Sequence, residues 1–125
     1  GAPVAITYVN IDMASDKAIA QIDIVNVGGG KVVSPNVNIA NKCPVGLNPY
    51  SDLNELNYRV EMTGGTLLKC NPSSSKVTLN SAGRGKIVCT FDIGNVPAFE
   101  TILRIELNYN YMQSIQKNVE IVKEP

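Results

Sequence analysis

The sequence predicts an all-β fold: an immunoglobulin-like, two-sheet antiparallel β-sandwich of about eight strands. Three observations predict it. Apolar side chains recur at every second residue along most of the chain, while helical periodicity is nearly absent. Strands so patterned have one wet face, which belongs to antiparallel rather than parallel sheets. Clusters of Gly, Pro, Asn and Ser break the chain roughly every 8–12 residues, the rhythm of a sandwich or barrel. A small all-β barrel is the competing architecture.

The elements follow in order. Val4 to Met13 opens the fold, with Thr7, Val9, Ile11 and Met13 on one face, and Ala14-Ser15-Asp16 turns it. Ala18, Ala20, Ile22 and Ile24 line the inner face of the next strand, which Gly28-Gly29-Gly30 ends. Val32 to Ile39 reads as a strand that Pro35 confines to an edge or a bulge. A loop from Ala40 to Asn54 follows. In Leu56 to Met62, Leu56, Tyr58, Val60 and Met62 face one way, and Asn57, Arg59 and Glu61 the other. Short strands at Thr66–Cys70 and Val77–Leu79 flank a turn at Pro72–Ser75. In Lys86 to Ile93, Ile87, Cys89, Phe91 and Ile93 share a face. Gly94 to Glu100 connects to Ile102–Tyr111 and Ser114–Val122, expected as a tight hairpin around Met112-Gln113. One domain is expected to span 1–125.

Composition narrows the function. A chain of 125 residues with 44% apolar content has enough material for a core. Eleven basic residues balance eleven acidic ones, so no general attraction to phosphates is expected, and nucleic acid is not an expected partner. No apolar run is long enough to span a bilayer, so direct membrane insertion is not expected. No signal peptide is visible, and the ends, Gly1-Ala2-Pro3 and Glu124-Pro125, read as those of a mature or excised fragment. There is no histidine, the commonest general base and transition-metal ligand, and no tryptophan for stacking.

The remaining chemistry-bearing residues point to structure. Cys43, Cys70 and Cys89 are too few and too dispersed for a zinc site. A Cys70–Cys89 disulfide would close a loop of about twenty residues. The alternatives are two buried thiols or a Cys43–Cys70 pair. Asp12, Ser15, Asp16 and Asp23 lack the spacing, glycine and terminal glutamate of a calcium loop and read better as a solvated turn. Gly28-Gly29-Gly30-Lys31 lacks the spacing of a phosphate loop. Glu106 and Glu120 read as partners of Arg104 and Lys117 on polar strand faces. Tyr8, Tyr58, Tyr109 and Tyr111 read as core and rim packing rather than a stacking platform. No catalytic, cofactor-binding or metal-binding residue is assigned.

The run Ala20-Gln21-Ile22-Asp23-Ile24-Val25-Asn26-Val27-Gly28, followed by Val37-Asn38-Ile39, resembles the opening of adhesion-type Ig-like domains of the CARDB-like group found in archaeal and bacterial surface proteins. Leu103 to Val122 resembles their closing hairpin. The resemblance covers the two ends and implies a structural or adhesive module, with no catalytic residues.

The expected function is therefore non-enzymatic: a structural or adhesive module of an extracellular or cell-envelope assembly. It would meet protein partners, self-association included, through sheet edges or loops. One form is a pilus-like filament subunit whose Val4–Met13 strand completes a neighbour's sheet. Another is an anchor domain of an archaeal surface appendage. The interface candidates are Val4, Ile6, Tyr8, Val33 and Val37. A carbohydrate- or ligand-binding sandwich attached to a secreted protein is the alternative, and it requires an exposed aromatic row.

Overall fold

The computed structural model describes residues 2–37, 47–48, 52–95 and 100–112. The predicted Ser114–Val122 strand, Gln113 of its hairpin turn, Cys43 and most of the Ala40–Asn54 loop lie outside these residues, whereas Met112, expected in that turn, is a strand residue paired with Lys31.

Among the described residues every regular element is a strand: β1 (Val4–Ala14), β2 (Lys17–Asn26), β3 (Lys31–Val33), β4 (Glu55–Met62), β5 (Thr66–Asn71), β6 (Lys76–Thr78), β7 (Arg84–Asp92), β8 (Leu103–Asn108) and β9 (Asn110–Met112). They form two packed antiparallel layers. The first has the order β1-β2-β7-β5. The second contains β6-β4-β8, and β3 pairs with β9. With β1, β2, β5 and β7 taken as strands A, B, D and E, this order is that of the A-B-E-D sheet of immunoglobulin sandwiches.

The period-two pattern places the core. Ala18, Ala20, Ile22 and Ile24 of β2, Leu56, Tyr58, Val60 and Met62 of β4, and Ile87, Cys89 and Phe91 of β7 are all buried, with Ile93 just beyond. Each row belongs to the inner face of its layer, so stacking the layers removes all three from water. The outward residues of β4 face those of β8 with opposite charge, Arg59 against Glu106 and Glu61 against Arg104. Such exposed pairing keeps that face wet at little energetic consequence.

Three predicted strands differ in detail. The face of β1 switches at a bulge between Ile6 and Tyr8, so the core-side row is Ile6, Val9, Ile11 and Met13, and Thr7 falls out of it. The predicted Val32–Ile39 strand ends at Val33. Pro35 has no N–H to continue a ladder, and the chain turns with the Val37 amide donating to the Ser34 carbonyl at 3.1 Å. The neck of the 34–54 excursion is closed by the Ser34 amide on the Asp52 carbonyl, 2.7 Å, and the Asn54 amide on the Val32 carbonyl, 2.8 Å. The predicted Ile102–Tyr111 strand is broken at Tyr109. It breaks where its partner changes: β4 pairs as far as Asn108 and β3 takes over at Asn110.

Candidate interaction edge

β1 is an eleven-residue strand at the edge of the first layer, paired to β2 from Val4↔Asn26 to Ala14↔Lys17. Its start is held by the Val27 amide on the Pro3 carbonyl, 2.8 Å, and by the Val4 amide on the Tyr109 hydroxyl, 3.2 Å. Its end turns at Ser15, in the left-handed region at φ 59°. There the Lys17 ammonium, 3.0 Å away, holds the Asp16 carboxyl below its ordinary range.

Beyond Val4 the strand is unusually apolar for an edge. Ile6, Tyr8, Val9, Ile11 and Met13 are each between 39% and 56% exposed. Ile6, Val9, Ile11 and Met13 sit beside Ile24, Ile22, Ala20 and Ala18 in register, so they point to the core side yet are incompletely covered. A groove of about 310 Å³ runs beneath the far end of the strand, lined by Ile11, Met13, Ala18, Met62, Ile93 and Thr101. Edge strands are ordinarily blunted by lysines, prolines or bulges. Here the stretch from Tyr8 to Ala14 carries one charge, Asp12, and no bulge.

The predicted interface residues divide accordingly. Ile6 and Tyr8 lie exposed on β1, and Val37 is half-buried after the Pro35 turn. Val4 and Val33 are buried, at 4% and 0% exposure. Val4 belongs to the core cluster, whereas Val33 lies outside it and bridges to Leu53; neither offers a side chain to a partner. The β1 strand is also paired within its own domain, so it is not a free strand available to a neighbour. Sequence reasoning missed Val9, Ile11 and Met13, whose alternation reads as core. The signal was the near absence of charge along Val4–Ala14, where Asp12 is the one charged residue.

Other places of chemical interest organise the fold. Cys70 and Cys89 face each other across β5 and β7 and form a disulfide. Tyr109 and Tyr111 are half-buried with their hydroxyls turned to backbone, Tyr111 accepting from Gly30 at 2.6 Å. Tyr58 is buried and donates to the Pro72 carbonyl. The exposed aromatic row needed for stacking on a sugar is therefore not formed by these tyrosines. A cleft of about 480 Å³ between β4 and β5 is floored by Tyr58, Phe91 and Cys70. Its two charged residues, Arg59 and Glu61, pair with each other. Among the described residues no three acidic or sulfur side chains converge, and no helix is long and apolar enough to cross a membrane.

Comparison of the chain with protein-family models, with curated proteins and with solved structures gives no match.

Proposed function

We propose that this domain is a non-enzymatic structural or adhesive module of an extracellular or cell-envelope assembly, of the CARDB-like adhesion type, and that it meets protein partners along the outer edge of β1. The observation that carries the reading is the exposed apolar row of that strand, 39–56% open side chain by side chain on an edge with a single charge. An edge left unblunted from Tyr8 to Ala14 is a template for another strand. In a filament, β1 then acts as the acceptor of a neighbouring strand rather than as the donor. The Cys70–Cys89 disulfide adds support, since such bonds persist in oxidising compartments.

The test uses the full-length protein in its own cells. Intact cells are treated with a membrane-impermeant amine reagent, and the thiol state is read by alkylation after acid quenching. Labelling on intact cells with Cys70 and Cys89 oxidised is the expected result. Labelling only after lysis, with both thiols reduced, overturns the reading.

A further inference from the structure

We propose that the partner of β1 is β1 of a second copy of this chain, paired antiparallel about a two-fold axis through Ile11. This rests on the edge-contact reading above and names its occupant.

The register is selected by the strand itself. Antiparallel partners directly opposite each other point to the same face. Only pairings that match core-side with core-side residues keep both second layers on one side of the joined sheet. Among those, centring on Asp12 sets two carboxylates against each other, which is repulsive. Centring on Val9 or Asn10 draws the Thr7 bulge into the ladder. Centring on Ile11 uses the whole bulge-free stretch, Tyr8 to Ala14. Ile11 then meets Ile11, Val9 meets Met13, and Tyr8 meets Ala14. The Asn10 side-chain amide meets the Asp12 carboxylate, a donor against the stretch's one charge. The strand is thus complementary to itself in sterics, face and charge. The two first layers become one continuous sheet, and the core-side rows of both copies flank each other across the axis.

The experiment is sedimentation of the full chain across concentration, with register variants. The wild type dimerises with increasing concentration. Ile11→Lys, at an exposed position where two ammonium groups would face each other, raises the dissociation constant at least tenfold. Asn10→Asp, which places two carboxylates together, does the same, whereas Asn10→Lys, facing Asp12, keeps or tightens the dimer. In a Cys43→Ser background, Ile11→Cys cross-links on oxidation while Leu68→Cys, on the opposite edge strand, does not. A protein that stays monomeric at millimolar concentration, a dimer indifferent to Ile11→Lys and to the Asn10 charge reversal, or equal cross-linking through both engineered cysteines overturns the proposal. A monomer that is nonetheless labelled on intact cells overturns the self-pairing alone and leaves the surface-module reading standing. Loss of concentration dependence on removing residues 113–125, with Ile11→Lys silent, also overturns it.

Discussion

The Tyr111 hydroxyl stands 2.2 Å from where a β-carbon on Gly28 would lie, and it accepts the Gly30 amide at 2.6 Å. Asn26 completes the arrangement, its Oδ1 accepting the Gly28 amide at 3.1 Å and its Nδ2 donating to the Gly30 carbonyl at 3.1 Å. The glycine run between β2 and β3 is thus a tyrosine-bonded turn. Gly28→Ala is expected to displace the ring and cost about 1–3 kcal/mol, and Tyr111→Phe about 1 kcal/mol. The double variant, with hydroxyl and clash both reduced, is expected to be less destabilised than the two changes added together. Urea denaturation of the four proteins checks the coupling.

The Cys70–Cys89 bond joins residues 19 apart and ties the edge strand β5 to β7. A cross-link closing a loop of that size contributes roughly 3 kcal/mol. Replacing both cysteines with alanine is expected to lower the denaturation midpoint accordingly. Because Leu67 and Leu68 are already exposed on β5, the loss should appear first as faster amide exchange in that strand.

Burial raises the Tyr58 phenol above its ordinary 10.0. The folded protein therefore holds that proton more tightly than the unfolded chain does. The associated stability is complete below the unfolded value and is lost as pH rises through the higher folded value. Tyr58→Phe should flatten this alkaline decline, while costing about 1 kcal/mol at neutral pH for the bond to Pro72. Denaturation midpoints at neutral pH and across roughly pH 9–11 read both effects.

Gly85 begins the packed part of β7. A β-carbon there would lie 3.0 Å from Leu79, 3.2 Å from Val77 and 3.3 Å from Ile24. All three neighbours are buried, so Gly85→Ala is expected to destabilise by about 1–3 kcal/mol through overpacking. Gly64, with φ 82° and no neighbour within 4 Å, is the contrast: Gly64→Ala is penalised by backbone conformation alone. Thermal denaturation with and without a compensating Val77→Ala change separates the two, since only the Gly85 variant should be rescued.

Much of this architecture was legible in the sequence because one physical rule carried it. The rows Ala18–Ile24, Leu56–Met62 and Ile87–Ile93 alternate without interruption, and each is buried as that alternation demands. Cys70–Cys89 was one of the pairings the sequence left open, and it forms because β5 and β7 are direct neighbours with the two cysteines opposite each other. What escaped reading depended on pairing across the chain. The Thr7 bulge changes which side chains of β1 face inward, and nothing local announces it. The break at Tyr109 arises because β8–β9 changes partner from β4 to β3. Of the five interface candidates, Ile6 and Tyr8 are exposed and Val37 is half-buried, while Val4 and Val33 are buried, since alternation cannot say which positions the rest of the fold covers.

Partner contact along β1 requires that the strand be held by its own domain while its outer edge stays open. Hydrogen exchange of the β1 amides in dilute full chain tests it most directly. Alternation is expected along Tyr8–Ala14, with amides bonded to β2 protected and those between them exchanging rapidly. Uniform protection, or uniform rapid exchange along the strand, would contradict it.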